Sequence, residues 1–202
     1  MPSLLPPLTH MHPLRIDGSR KVYSAPDDPV VIKLRDALLD CLREAPKSTV
    51  IPLQFKGKVL AASCHAAILG PALKKVSRGE CPGRYIVVRD PDGRNDWDAD
   101  AALRKASEDE GVKLLCVWIG DSGEPRLIGA VDTTVSETYS FVLACTRLGR
   151  SATARVLAEE QGIRIQAASN RMSKAASFGV IHAAREEPAE GGGTQRVYAP
   201  IC

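Results

Sequence analysis

Hydrogen-bonding and cationic side chains recur near the carboxyl terminus at a spacing that places them on one side of a helix. They are Gln166, Ser169, Asn170, Arg171 and Lys174. Amide groups can pair with adenine and guanidinium groups with guanine, so this side has the chemistry to contact base edges in the major groove of duplex DNA. Polar side chains are equally common on helices that only face solvent. Residue type alone therefore leaves both interpretations open.

Arginines around this stretch could neutralise backbone phosphates. They are Arg150, Arg155, Arg164, Arg185 and Arg196. Residues 147–185 include seven basic and two acidic side chains, whereas residues 1–132 include 19 basic and 18 acidic ones, and the whole chain carries only +3. Each cation that contacts a phosphate releases a counterion, so the position of the excess matters more than its total. Glu186, Glu187 and Glu190 weigh against phosphate contacts beside Arg185.

Two helices and a hairpin must position these groups. Thr153 is a good N-cap and Gly162 a good terminator for a short first helix. An apolar residue recurs at steps of three and four through the second helix, which predicts a buried side opposite the polar one. These residues are Ile165, Ala168, Met172, Ala175 and Phe178. Extended runs on either side of Gly191 to Gly193 predict a hairpin.

The stretch from Thr153 to Ala199 resembles the winged helix-turn-helix of bacterial and archaeal transcription regulators, in which a "TAxxLAxxxGI" helix precedes an "ASNRLxxLxxxGLI" recognition helix. The matching positions are Thr153, Ala154, Leu157, Ala158, Gly162, Ile163, Ala168, Ser169, Asn170, Arg171, Gly179 and Ile181. Met172 and Ala175 stand where such helices carry leucines. The resemblance implies binding to double-stranded DNA, and a homodimer spanning two half-sites is expected because one recognition helix binds weakly.

The region before Asp132 alternates between strand-like and helix-like runs, which predicts an α/β layer structure of about five strands and three helices. Asp28 and Pro29 should begin its first helix. Pro52 cannot donate a ladder hydrogen bond, so the strand TVIPLQF should lie at an edge or contain a bulge. The segment Asp90 to Asp100 should be a solvated loop, although its alternating carboxylates also allow a calcium-binding interpretation.

The order "LRDALLDCLREAPKSTVIPLQFKG", "SCHAAILGPAL" and "GRYIVVRD" resembles STAS-like domains, which are related to sulfate-transporter and anti-sigma-factor-antagonist domains. The expected fold class is thus α/β, a small STAS-like α/β sandwich, followed by an α+β winged helix-turn-helix domain. The expected domains are a flexible arm over residues 1–20, the STAS-like domain over 21–132 and the winged helix over 133–202. The resemblance also implies Ser63 as a candidate regulatory phosphorylation site, with a plain N-cap role as the alternative.

Catalytic residues, cofactors and metals are not expected. Cys64 and His65 are adjacent at a helix start and would point in different directions, with no third group to orient them. His10 and His12 lack a third metal ligand. The six cysteines are scattered without a Cys-x-x-Cys pair, so free thiols are expected.

No apolar run approaches the ~20 residues that span a bilayer, and the proline-rich start lacks the pattern of a secretory signal. A cytoplasmic protein without a membrane partner is therefore expected. Two functions remain open. One is a DNA-binding transcription regulator whose STAS-like domain is a regulatory or dimerisation module. The other is a protein-interaction adaptor, resembling anti-sigma antagonists, that binds a protein partner without sequence-specific DNA binding.

Overall fold

The computed structural model describes residues 7–202, and the contacts within the chain divide it into two compact units. One unit contains residues 9–131 and the other contains residues 132–201. The described residues include six helices and a mostly parallel central sheet. The expected mixed α/β class is confirmed at this level.

The first unit contains three helices and eight strands in the described part of the chain. In order they are β1 (Thr9–His10), β2 (Leu14–Arg15), β3 (Val22–Tyr23), α1 (Pro29–Glu44), β4 (Thr49–Gln54), β5 (Val59–Leu60), α2 (Ala62–Ser77), β6 (Arg84–Arg89), α3 (Asp96–Glu110), β7 (Leu115–Ile119) and β8 (Pro125–Gly129). Asp28 caps α1 as predicted, because its carboxylate accepts a hydrogen bond from the backbone N–H of Val30.

The central sheet has β1 and β2 outermost on one side, followed by β4, β6, β7 and β8, and β3 pairs separately with β5. Within residues 9–131 all strand pairings are parallel except that of β7 with β8. The chain crosses the sheet in one direction from β2 to β7 through α1, α2 and α3. Because such crossovers are right-handed, the three helices lie on one face, where Leu38, Ile68 and Leu103 share a core with Leu53 and Trp118.

β4 is a central strand, which corrects the expectation that Pro52 puts it at an edge or a bulge. It pairs with β6 on one side and with β1 and β2 on the other. In a parallel strand, the backbone N–H and C=O groups of alternate residues point to opposite neighbouring strands. The Val50 carbonyl accepts a hydrogen bond from the Met11 N–H, so Val50 points to the β1 side. Pro52 faces that same side, in the gap between the β1 pairing, which ends at Val50, and the β2 pairing, which begins at Leu53. Its missing N–H is therefore tolerated.

Residues 9–16 belong to the first unit, which corrects the flexible arm expected over residues 1–20. β1 and β2 pair with β4, and Ile16 is buried in the core. Strands of two residues have too little sequence to show a periodicity, and they exist here because β4 offers unpaired backbone groups. The part of the expected arm over residues 1–6 lies outside the described residues.

The acidic segment after β6 is only partly a solvated loop. Asp90 and Asn95 are fully buried. The Asp90 carboxylate accepts hydrogen bonds from the backbone N–H and the side-chain amide of Asn95. Asn95 in turn accepts from the Leu60 N–H and donates to the Lys58 carbonyl. These bonds satisfy the buried polar groups, and α3 begins directly after Asn95, at Asp96, earlier than the predicted Ala101.

The second unit contains α4 (Thr133–Arg147), α5 (Ala154–Gln161), α6 (Ile165–Ser177), β9 (Ile181–Pro188) and β10 (Thr194–Pro200). Thr153 caps α5 by accepting from the Val156 N–H, and Gly162 ends α5 with a φ of +62°. Both predictions are confirmed. β9 and β10 form the predicted hairpin, with a bulge between Val197 and Tyr198.

The buried side of α6 is shorter than predicted. Ala168, Met172 and Ala175 are fully buried, whereas Ile165 at the start of the helix is 51% exposed. Phe178 follows the helix and is only partly buried. The core contact of α6 therefore rests on two alanines and one methionine.

Candidate nucleic-acid interface

α6 presents a polar face because its small apolar residues hold the opposite side against its neighbours. It packs on α5 and α4, and the turn between α5 and α6 is closed by a hydrogen bond from the Ile163 N–H to the Ala158 carbonyl. Gln166, Asn170 and Lys174 are exposed on the outer side. The helix thus offers two amides and an ammonium to solvent or a ligand.

A groove of about 400 Å³ lies between α6 and the hairpin. Gln166 and Ser169 line it together with Arg155 of α5 and Arg196 of β10. The structure thus gathers two predicted base-facing residues and two predicted phosphate contacts on one concave surface. Asn170 does not line the groove, but the Gln166 side-chain amide donates to the Asn170 side-chain oxygen at 3.2 Å.

Ser173 and Gln195 line the same groove but were not among the predicted site residues. Ser173 continues the row of Gln166 and Ser169 along the helix, so the helical period could have identified it. Gln195 comes from the hairpin, and the sequence does not show which face of the hairpin is turned toward α6.

Arg171 and Lys174 lie on the other flank of α6 and do not line this groove. Arg171 donates to the Gln161 side-chain oxygen at 2.6 Å and lies 3.6 Å from the Glu137 carboxylate. Lys174 lies 2.7 Å from the Asp132 carboxylate. These two cations contact the end of α5 and the start of α4.

Four of the five arginines expected at phosphates are ion-paired. Arg150 pairs with Glu160 at 2.9 Å, Arg155 with Glu190 at 3.6 Å, Arg185 with Glu187 at 3.6 Å and Arg196 with Glu186 at 3.8 Å. Arg185 also donates to the Ser151 hydroxyl at 2.9 Å. Arg164, at the N-cap of α6, is exposed and forms no ion pair within the described chain.

Carboxylates of the second unit thus offset most of its positive charge. Residues 132–201 contain eight basic and seven acidic side chains. Six of the basic groups lie within 4.0 Å of a carboxylate. The basic excess over residues 147–185 is therefore balanced by acidic residues that precede and follow it in sequence and meet it in the fold.

Ser63 is an exposed residue in the first turn of α2 and does not cap that helix. α2 begins at Ala62, and its N-cap, Ala61, provides no side-chain hydrogen bond. The Ser63 hydroxyl donates to the Ser24 carbonyl at 3.3 Å. The N-cap interpretation is wrong, because the helix starts earlier than the serine, while phosphorylation of Ser63 stays a prediction.

Cys64 and His65 contact different groups. The Cys64 thiol donates to the Tyr23 carbonyl at 3.5 Å, and burial raises its pKa. The His65 ring packs against Phe55 and Trp118, with centroids 5.3 and 6.1 Å apart, and burial lowers its pKa to about 4. The raised pKa of the Cys64 thiol disfavours the thiolate that a nucleophile requires, and a pKa of about 4 makes the His65 imidazole a weak base.

None of the described cysteines lines the groove beside α6. All six cysteines are free, and burial raises the pKa of Cys116 to about 12.

Within the described residues no cluster of three His, Cys, Asp or Glu side chains could hold a metal ion. None of the helices in the same part of the chain is long and apolar enough to cross a membrane.

The chain matches no protein-family model, no curated protein and no solved structure. Its function is therefore inferred from the geometry of α5, α6 and the hairpin and from the chemistry of the groove between α6 and the hairpin.

Proposed function

We propose that the second unit is a winged helix-turn-helix domain that binds duplex DNA, with α6 as its recognition helix and the hairpin as its wing. The observation that carries the proposal is the groove that unites Gln166 and Ser169 of α6 with Arg155 and Arg196. It combines amide, hydroxyl and guanidinium groups on one surface. These are the groups that proteins use for base edges and phosphates.

Gln166 and Asn170 are the base-contacting residues of this proposal, with Ser169 beside them. Arg164 stands at the start of α6 without a carboxylate partner among residues 7–202 and is the first candidate for a phosphate contact. Arg155 and Arg196 would exchange their carboxylates for phosphates, an exchange of low cost because exposed ion pairs contribute about 0–1 kcal/mol. The same exchange would allow Arg150, Arg171, Lys174 and Arg185 to take part.

The first unit has the role of a regulatory or dimerisation module of STAS-like type in this proposal. A single recognition helix contacts few base pairs, so two copies of the chain would bind two half-sites. A homodimer is therefore part of the proposal. Ser63, which is exposed, is its candidate phosphorylation site.

The deciding experiment is selection of bound duplexes from a random DNA pool, followed by affinity measurement on the selected sequence. The double variant Gln166→Ala/Asn170→Ala should bind the selected site at least about 30-fold more weakly, because each good base contact contributes about 1–3 kcal/mol of discrimination and the variant loses two of them. Its binding to unrelated duplex should change little, since its basic residues are intact.

The matched control is Ser136→Ala/Ser140→Ala, which removes exposed polar groups from α4 of the same unit. It should bind like the original protein. Absence of any retardation of a genomic fragment pool at low salt would remove the basis of the proposal.

A protein-interaction adaptor is the second candidate, and the pairing of six basic groups with carboxylates favours it. A surface of balanced charge suits a protein partner. A surface that carries one sign of charge would repel every partner of the same sign. This candidate predicts a partner that stays bound in a pull-down after nuclease treatment. The DNA-binding proposal predicts that nuclease releases associated proteins.

A further inference from the structure

A small basic pocket lies at the carboxyl ends of β2 and β4 in the first unit. It has a volume of about 140 Å³ and is lined by Arg15, Ile16, Gln54, Lys56 and Lys58. None of these residues is acidic. Arg15, Lys56 and Lys58 form no ion pair with any residue in the described range 7–202, in contrast to the paired cations around the groove beside α6.

The fold holds the pocket in place through several contacts. Arg15 and Gln54 are register partners on adjacent parallel strands, so their side chains leave the same face of the sheet. The Lys58 ammonium donates to the Arg20 carbonyl at 2.9 Å and to the Gly18 carbonyl. Gly57, with a φ of +72°, makes the turn that brings Lys56 and Lys58 to the end of β4.

Gln54 adds a second, independent feature. Its side-chain oxygen is buried and has no hydrogen-bond partner within the described part of the chain. A buried acceptor without a donor is costly, and here the acceptor belongs to a residue that lines the basic pocket. A turn of the Gln54 amide about its last side-chain bond would bring this oxygen to the pocket, where a ligand that carries both negative oxygens and one O–H group would satisfy the cations and the amide oxygen together.

We propose that this pocket binds a phosphate group. Near neutral pH a phosphate is partly protonated, since its second pKa is about 6, so it accepts hydrogen bonds from Arg15, Lys56 and Lys58 and donates one to Gln54. At roughly 30 Å³ per water the pocket holds about five water molecules, which suits a group of five heavy atoms. Carboxyl ends of parallel strands are also where open α/β sheets bind their ligands.

The test is calorimetric titration of the full chain near pH 6.5, at constant ionic strength, with inorganic phosphate, glycerol phosphate and sulfate as separate probes. Saturable one-site binding of phosphate is expected, at least tenfold tighter than that of sulfate, which has the same shape but no proton to donate. Equal or tighter binding of glycerol phosphate would assign the site to phosphate esters, and binding of inorganic phosphate alone would assign it to the free ion. Either result supports the proposal.

Variants locate the binding. Arg15→Gln/Lys56→Gln changes two exposed side chains and should weaken phosphate binding at least tenfold. Gln54→Glu keeps the side-chain size, adds a negative charge and should abolish binding. Lys33→Gln, an exposed lysine of α1 outside the pocket, should bind as the original protein does. Phosphate binding that is no tighter than sulfate binding, or that survives in Arg15→Gln/Lys56→Gln, would overturn the proposal.

Discussion

His65 places an ionisable ring in an apolar and aromatic surrounding. The ring is fully buried beside Phe55 and Trp118, and this burial lowers its pKa from 6.5 to about 4. Between these values the unfolded chain binds more protons at this residue than the folded one. The free energy of unfolding should therefore be highest above pH 6.5 and fall as the pH drops toward 4.

A His65→Leu substitution should remove this part of the pH dependence. Over the window from pH 6.5 to 4 the contribution of His65 amounts to roughly 3 kcal/mol, at about 1.4 kcal/mol per pK unit. We expect urea unfolding of His65→Leu to lose correspondingly less stability on acidification than the original protein. His12→Asn, which changes an exposed imidazole, should follow the original curve. Parallel pH curves for His65→Leu and the original protein would contradict the assignment.

His182 acts in the same direction. Its imidazole is partly buried, and this burial lowers its pKa. Because His182 is unchanged in the His65→Leu protein, its contribution cancels in the comparison.

At the scale of elements, helix starts differ in whether a side chain caps them. Thr153 is buried, and its hydroxyl oxygen accepts from the Val156 N–H at 3.3 Å, whereas Ser63 follows the first residue of α2 and contacts a carbonyl outside the helix. Thr153→Ala should lower the free energy of unfolding by about 1 kcal/mol. Ser63→Ala should change it by less than ~0.5 kcal/mol.

Hydrogen exchange measures both effects where they occur. The amides at the start of α5 should exchange faster in Thr153→Ala, and those of α2 should be unchanged in Ser63→Ala. A cost for Ser63→Ala as large as that for Thr153→Ala would mean that Ser63 stabilises α2 after all.

Elements with local signals could be predicted from the sequence. The cap at Asp28, the strand over residues 84–89 and the helices α5 and α6 depend on residues within a few positions of one another. β1, β2 and the start of α3 could not be predicted, because distant contacts create them. β1 and β2 exist by pairing with β4, and Asn95 is held by Lys58, Leu60 and Asp90.

At the candidate interface, too, the features set by neighbouring residues could be predicted and those set by distant contacts could not. The helical period identified Gln166 and Ser169, which share a groove, because both lie on one element. It could not show that Arg171 turns toward Glu137 or that Arg155 meets Glu190. Such pairs join residues far apart in sequence, so only the packing of the elements determines them.

At the scale of the molecule, the charge balance sets how DNA binding should respond to salt. If Arg155, Arg164 and Arg196 alone contact phosphates, a plot of log K against log salt should have a slope of about −3 for each copy of residues 132–201 that is bound. Each phosphate contact contributes about −0.9 to this slope. Participation of all eight basic residues of residues 132–201 would give a slope near −7. Fluorescence anisotropy of a labelled duplex across a salt series measures this slope.

Glu190→Gln is the matched variant for this prediction, since it releases Arg155 from its carboxylate partner. It should tighten binding severalfold at low salt. A slope near zero would show that phosphate contacts play no part, and the adaptor function would then be the better account of the second unit.

The position of Pro52 affects how the sheet resists aggregation. β1 and β2 have only two residues each, so on this side of the sheet they should be the first strands to detach during local unfolding. β4 would then become an edge, and edges recruit strands from other molecules. Pro52 lies in the middle of β4, and its backbone faces the side that β1 and β2 would leave. It lacks the N–H donor that an incoming strand needs. A residue that the native sheet merely tolerates should thus protect its partly opened form from self-association.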